Sequence, residues 1–249
     1  MKQDLVTLAR FARKFGVGKG FPLFYKFKTK QLNSIRIPQV RSSFMLRKDT
    51  SDIEAFYQIF FHDEYDTKYV AAPVNIIDGG ANVGLFTIWV KNKFPDAQVI
   101  AIEPDPENYA VMQKNVSMYK NVHCENCGLW DRSTRLKVYD KYNRGNWGFV
   151  AEENQAGTIQ ALSIDDIMQK YNWSFIDILK LDIETAEKKV FSGDYKGWLK
   201  KTRMLVVELH DEMEPGCSKT FFDAVHSTFD NYTYAVKGEN TIIINNDMQ

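Results

Sequence analysis

Asp78-Gly79-Gly80-Ala81-Asn82-Val83-Gly84 is the stretch of this chain whose residue types most narrowly restrict the chemistry they can do. It follows the apolar run Val74-Asn75-Ile76-Ile77 and precedes a segment rich in Phe86, Ile88, Trp89 and Val90. A strand, a glycine turn and a helix in that order let the backbone bend sharply and approach a ligand closely. The free N–H groups that open the helix favour an anionic group. Glu103 closes the next apolar run, Gln98 to Ile102. A carboxylate at that place can accept hydrogen bonds from both hydroxyls of a ribose. The residues therefore point to a ligand that contains a nucleoside.

The glycine spacing separates two classes of such ligands. A dinucleotide site uses G-x-G-x-x-G, in which the middle glycine admits a pyrophosphate. Here the aligned triplet is Gly79, Ala81 and Gly84, so a methyl group occupies the middle position. Asp78 also adds negative charge where phosphates would lie, whereas an ammonium or a sulfonium gains from a nearby carboxylate. The expected cofactor is S-adenosylmethionine, bound by Asp78, Gly79, Gly80, Ala81, Asn82, Gly84, Glu103 and Pro104. Cys127 and Gly128, at the end of a third apolar segment, are expected to border the adenine. The alternatives are a nicotinamide-dependent oxidoreductase and a non-catalytic cofactor-binding subunit.

Ligands of open parallel sheets bind beyond the carboxyl ends of the strands. Asp182, with Glu184 just after it, ends the run Ile178-Leu179-Lys180-Leu181; Glu208, Leu209 and His210 end the next. Asp182 thus also joins the residues expected around the cofactor. An alcohol acceptor is a weak nucleophile at neutral pH and needs a base. His210 has a suitable ordinary pKa, and Asp182 and Glu208 are the other candidates for the catalytic role. Their bland alternatives are a satisfied strand-end histidine, a helix N-cap at Asp182 and a hydrogen-bonded buried carboxylate at Glu208. No H-x-x-x-H or D-x-D spacing occurs, so no metal site is expected; an ion on Asp182, Glu184 and Glu208 is the alternative. Cys124 and Cys127 make a lone C-x-x-C whose side chains would point to opposite faces of a strand, with no second pair to complete a metal site.

Positioning these groups requires an alternation of strands and helices. Strands are predicted at 74–77, 98–102, 122–129, 158–162, 175–181 and 204–209, with helices over 108–119, after Ser163 and over 218–228. Segments 134–140 and 146–151 flank Asn143-Arg144-Gly145-Asn146 as an inserted hairpin, and 232–236 pairs with 241–244 as a terminal one. This order predicts an α/β fold with an open, mostly parallel seven-stranded sheet, helices on both faces and a C-terminal antiparallel hairpin. Upstream, Leu5, Leu8, Ala9, Phe11, Ala12 and Phe15 have helical spacing, broken at Gly16, Gly18 and Gly20. Residues 35–47 look extended. Ser51 and Glu54 have capping-box spacing for a helix from Asp52 to about Phe61. Residues 1–70 therefore form a helical cap, and 71–249 the main domain. The first helix packs on that domain; contact with a membrane surface or a partner is its alternative.

Composition narrows the remaining classes. Lys plus Arg number 32 and Asp plus Glu 32, so the formal net charge is zero, which argues against nucleic acid held mainly by phosphate contacts. No apolar run approaches the roughly 18 residues of a membrane span. The charged amino terminus does not read as a secretory signal. Three cysteines make no disulfide framework and suit a reducing, cytoplasmic setting.

A narrower resemblance emerges from motifs taken in order. Ile76 to Thr87, Ala101-Ile102-Glu103-Pro104, Leu162 to Ile167, Leu179 to Glu184 and Val206-Val207-Glu208-Leu209-His210 together resemble the FkbM family of methyltransferases over about residues 70–230. Leu46-Arg47-Lys48-Asp49-Thr50-Ser51-Asp52 resembles a segment upstream of that domain. The resemblance implies a Rossmann-like class I methyltransferase fold and O-methylation of a hydroxyl on a sugar, glycan or secondary metabolite. It also implies that Asp78 to Gly84 and Glu103 bind the cofactor. The family's D-x-E-G-A-E segment reads here Asp182-Ile183-Glu184-Thr185-Ala186-Glu187, with Thr185 in place of glycine. That side chain is expected to narrow the acceptor cleft or alter the turn.

Overall fold

The computed structural model describes residues 2–140 and 149–248. Helix α1 (Lys2–Phe15) and helix α2 (Val17–Lys28) form a hairpin bent at Gly16. Gly18 and Gly20 do not end the helical pattern, contrary to expectation; they lie inside α2. A Cβ on Gly20 would stand 2.5 Å from the Phe11 carbonyl oxygen, so the missing side chain lets α2 lie against α1. Residues 35–47 form a single bridge, Ile35 to Phe44, and otherwise loop. Helix α3 (Asp52–Phe56) continues as a π turn over Tyr57–Phe61. The capping box expected of Ser51 and Glu54 is absent: Ser51 has helical backbone geometry and its side chain caps nothing.

Two β-α-β units follow, from β1 (Asn75–Gly79), α4 (Leu85–Lys93), β2 (Gln98–Ile102), α5 (Pro106–Val116) and β3 (Val122–Glu125). α5 starts earlier than expected because Asp105 accepts from the N–H groups of Glu107 and Asn108, with Pro106 at the first helical position. The strand expected over 122–129 is divided. β3 stays in the main sheet, and β4 (Gly128–Leu129) joins β5 (Thr134–Asp140), β6 (Phe149–Glu153) and β7 (Ile159–Leu162) in a second sheet. At the break, Asn126 Nδ2 donates to the carbonyls of Glu103 and Pro104 at 2.9 and 3.2 Å. β5 and β6 pair antiparallel as predicted, while the expected turn Asn143-Arg144-Gly145-Asn146 lies outside the described residues.

α6 (Ile164–Lys170) opens with a capping box between Ser163 and Asp166. Then come β8 (Ile176–Leu181), α7 (Glu187–Val190), α8 (Lys196–Leu199), β9 (Thr202–Glu208), α9 (Cys217–Thr228), β10 (Tyr232–Lys237) and β11 (Asn240–Asn245). The sequence did not reveal α7 and α8, because four residues leave no periodicity to read.

The main sheet has seven strands in the order β10-β11-β9-β8-β1-β2-β3. β3, β2, β1, β8 and β9 run parallel; β11 is antiparallel to β9 and β10 to β11. Successive side chains take opposite faces of a strand. Ile76, Ile178, Met204 and Val206 pack into one cluster with Phe11, Phe15, Phe56 and Phe86. Ile77, Leu179, Leu205 and Val207 pack into the other with Phe191 and Phe221. Both faces are covered, which is why these strands read as nearly continuous apolar runs. The strand order reverses between β1 and β8, and the crevice beyond their carboxyl ends is where such sheets hold ligands.

Among the described residues, no helix is long and apolar enough to cross a membrane.

Candidate active site

β1 and β8 end side by side, with Gly79 opposite Leu181. The turn after β1 is fixed to β2, because the N–H groups of Gly80 and Ala81 both donate to the Ile102 carbonyl, at 3.0 and 2.9 Å. Gly80 has a φ of 71°, and a Cβ there would stand 1.7 Å from the Asp182 carbonyl oxygen, so only glycine fits. Asn82 N–H donates to Glu103 Oε2 at 2.8 Å. Glu103 Oε1 accepts from Asp105 N–H at 2.9 Å and from Asn108 Nδ2 at 3.4 Å. Burial pushes the Glu103 carboxyl up to about 7, against the opposing pull of those hydrogen bonds.

A cleft opens over this turn. Gly80, Asn82, Glu103, Pro104, Asp105 and Asn108 form one wall; Ile102, Gly128, Leu129, Leu136 and Ala151 supply apolar surface; Asp182, Ile183, Glu184 and Ala186 close the far side. Apolar surface beside a buried carboxylate suits a nucleoside.

Gly80, Asn82, Glu103, Pro104, Gly128 and Asp182 reach this cleft, as expected of them. Asp78, Gly79, Ala81, Gly84 and Cys127 do not line it. Asp78 is fully buried beneath the turn, where it accepts from Thr87 Oγ1 at 2.7 Å and stands 3.3 Å from Lys180 Nζ. Its charge is thus met inside the protein and not by a ligand. Gly79 is enclosed by Leu129 and Leu181, Gly84 sits at the N-cap of α4 against Met112 and Val116, and Cys127 is buried in the apolar cluster. Ala81 borders a small separate cavity with Lys180.

Lys180 was missed at the sequence level, although a lysine inside the apolar run Ile176 to Leu181 is a visible signal. Its Nζ donates to the Gly80 carbonyl at 2.7 Å and so holds the glycine turn. Burial opposes the charge, but Asp78, Tyr65 and Asp182 outweigh that penalty and raise its hold on the proton.

A second cleft is lined by Ser51, Gln58, Asn82, Asp182, Glu184, Glu208, His210, Glu212 and Glu239, among others. Asn82, Asp182 and Glu184 line both clefts. Here the structure brings together the three residues considered for catalysis. His210 Nε2 lies 3.7 Å from Asp182 Oδ1, 3.7 Å from Glu208 Oε1 and 3.8 Å from Glu184 Oε2. His210 Nδ1 is 3.2 Å from Glu187 Oε1, which also accepts from Ile183 N–H at 2.8 Å. Glu187 is fully buried and was not singled out from the sequence. Asp182 caps no helix, since α7 begins at Glu187.

The electrostatics revise the role expected of His210. Burial disfavours its charge, yet Glu187, Asp182 and Glu184 outweigh this and hold its proton up to about 10. In the free protein the ring is therefore not a free base near neutrality. Burial, and then Asp182, push Glu208 up to about 9 and Glu184 up to about 8. Thr185 has a left-handed backbone, with φ of 79°, and lines neither cleft, so the expected narrowing does not occur.

The N-terminal segment also reaches the site. Arg47 donates from its backbone N–H to Asp52 Oδ2 at 2.7 Å and through its guanidinium to Asp52 Oδ1 at 2.8 Å and Asn108 Oδ1 at 2.7 Å. Asn108 in turn touches Glu103.

Known proteins share these features. The profile of the methyltransferase FkbM domain matches residues 78–236. Methyltransferase sdnD of Sordaria araneosa is 28% identical over 197 residues, covering 64% of this chain and 76% of that protein. The 31-O-demethyl-FK506 methyltransferase FkbM of Streptomyces tacrolimicus is 23% identical over 169 residues, covering 55% and 65%. The 2-O-methyltransferase NoeI of Sinorhizobium fredii is 24% identical over 185 residues, covering 67% and 73%. Among solved structures, methyltransferase FkbM from Methylobacillus flagellatus superposes with a TM-score of 0.52 at 12% identity. That alignment covers 97% of this chain but 59% of that longer one, and it shows the shared fold. The family match sets aside the oxidoreductase alternative. Because that match runs from the start of the glycine turn through the carboxylates at the ends of β8 and β9, the chain belongs to the FkbM family and is a methyltransferase.

Proposed function

We propose that the chain moves a methyl group from S-adenosylmethionine to a hydroxyl oxygen of a sugar, glycan or secondary metabolite. One observation carries this reading: the cleft over the glycine turn and the acidic cleft share lining residues, Asn82, Asp182 and Glu184. A donor in the first and an acceptor in the second would meet at this shared wall. The fit to the donor rests on the Gly80 cradle, which a Cβ would fill, and on the buried Glu103 carboxylate beside it. Names of two relatives, a 31-O-demethyl-FK506 methyltransferase and a 2-O-methyltransferase, also support oxygen as the acceptor atom.

S-adenosylmethionine supplies an electrophilic methyl carbon, which the acceptor oxygen attacks while the C–S bond electrons stay on sulfur. Glu103 holds the ribose hydroxyls. The apolar surface of Ile102, Leu129 and Leu136 excludes water from the base. Asp182 puts a carboxylate on the shared wall, which favours a sulfonium. The acceptor proton passes to a carboxylate of the Asp182–Glu208 group, which must start ionised to receive it.

Calorimetry with S-adenosylhomocysteine tests the donor site; binding with no response to NADH is expected, and the opposite pattern overturns the reading. Incubation with methyl-labelled donor and a panel of hydroxyl compounds, read by mass spectrometry, tests the acceptor class. Asp182→Asn is expected to lower turnover by roughly 10²–10⁴-fold. Near-native turnover in that variant removes Asp182 from the chemistry.

A further inference from the structure

The acidic cleft has a feature that a simple acid–base site does not need. His210 is 5% exposed, and among the described residues its Nε2 has no hydrogen-bond partner. It points at three carboxylates that stand 3.7, 3.7 and 3.8 Å away, too far for hydrogen bonds. The ring is held in this pose from behind by the fully buried Glu187 on Nδ1.

We propose that Asp182, Glu208 and His210 bind a divalent metal ion, Mn²⁺ in preference to Mg²⁺, which holds and activates the acceptor hydroxyl. The activating role rests on the methyl-transfer reading; the binding does not.

Three observations carry the proposal. The first is spacing. One donor atom from each of Asp182, Glu208 and His210 lies within 4.8 Å of the others. Ligands each about 2.1 Å from one ion are separated by about 3.0 Å at a right angle and by about 4.2 Å across it. The 3.7 Å gaps fall inside that range and leave room for an ion between the atoms. The second is the support behind the ligand. A metal-binding histidine usually gives its other ring N–H to a carboxylate, which fixes the tautomer and turns the lone pair toward the ion. Glu187 stands in that place for His210. The third is charge. Asp182, Glu184, Glu208, Glu212 and Glu239 line the cleft, with no Lys or Arg among its lining residues.

The donor set indicates the ion. Carboxylates and water suit Mg²⁺ and Mn²⁺, and an imidazole favours a transition metal, so of those two ions the mixed set favours Mn²⁺. Three protein ligands leave positions open for the acceptor oxygen. The ion would draw charge from that oxygen and so ease the loss of its proton, which passes to solvent through the open cleft. The O–H bond breaks, its electron pair stays on oxygen and then forms the bond to the methyl carbon, and no group changes oxidation state. The ligands come from the ends of two different strands, so no short motif announced the site.

Mn²⁺ titrated into the full chain after chelator treatment, followed by electron paramagnetic resonance, tests this. One bound ion per chain is expected, with nitrogen coupling from imidazole in the pulsed spectrum. His210→Gln should abolish that coupling, and Glu208→Gln should weaken binding by at least about 10-fold. Glu187→Gln, which keeps all three ligands, should weaken it by about 10–100-fold. No site filled by millimolar Mn²⁺ overturns the proposal, as does binding that keeps its strength and nitrogen signal in the His210 and Glu208 variants. S-adenosylhomocysteine calorimetry on the same samples reports folding. If the wild type binds Mn²⁺ but not that ligand, the donor reading fails and the metal site stands.

Discussion

At the scale of single residues, Glu103 and Lys180 show that a buried charge takes its meaning from its neighbours. Glu103 lines the first cleft, and the proposed function has its oxygens accept from a ribose. Glu103→Ala should weaken S-adenosylhomocysteine binding by about 1–3 kcal/mol, the scale of lost charge-assisted hydrogen bonds. Unchanged calorimetry removes it from the ligand contact. Burial raises this carboxyl to about 7, so below that pH the free protein holds a proton that a ribose-bound carboxylate must give up. Affinity should be flat above about 7 and fall as pH drops through it, by at most about tenfold per unit. A flat profile from pH 6 to pH 8, a range set by that value, contradicts the assignment. Lys180 was legible only as an oddity in an apolar strand. Its partner Asp78 is fully buried with one oxygen lacking any hydrogen bond. Lys180→Met should therefore destabilise the fold by about 3–5 kcal/mol by stranding that charge, measured by denaturant unfolding. A loss under about 1 kcal/mol would contradict this pairing.

At the scale of elements, the glycine turn and the parallel strands were readable because each is a local pattern. The strands show runs of Ile, Val and Leu, and the turn shows glycine where φ is positive. The divided strand at Asn126 was not readable, because its cause is a hydrogen bond to carbonyls far along the chain. Nor was the packing role of Gly20, which depends on where α1 lies. Thr185 is informative in both directions. The sequence flagged it as a departure from a glycine, and the structure finds it at φ of 79°, buried and β-branched. Such a residue in the left-handed region carries strain of about 1–3 kcal/mol. Glycine would relieve that strain while adding about 0.5–1 kcal/mol of unfolded-state entropy. Thr185→Gly should stabilise the protein by about 1 kcal/mol in thermal or denaturant unfolding, the difference between those two ranges. Destabilisation would show that the threonine side chain contributes more by packing than it costs in strain.

At the scale of the molecule, the N-terminal segment and the sheet share one apolar cluster. Phe56 is fully buried, its ring 4.7 Å from that of Phe27 and 5.6 Å from that of Phe60, and the same cluster includes Ile76 and Ile178 of the sheet. Phe56→Ala should cost about 3–5 kcal/mol. The unfolding should remain a single transition for both parts, because the shared cluster couples them. Two separate transitions, by fluorescence and by far-ultraviolet dichroism, would show that residues 1–70 fold apart from the sheet.

The sequence by itself determined the order of the parallel strands, the glycine turn and the carboxylate that follows it, because these depend on residues adjacent in the chain. It also supplied every member of the Asp182, Glu208 and His210 group. Only the tertiary structure decided which carboxylates face a ligand and which face a lysine. Parallel pairing sets β1 beside β8 and β8 beside β9, and that juxtaposition buries Asp78 against Lys180 while leaving Asp182 at the wall of two clefts. The proton affinities follow from the same cause, since burial and like charges gathered from separate strands act through space and leave no trace in local spacing.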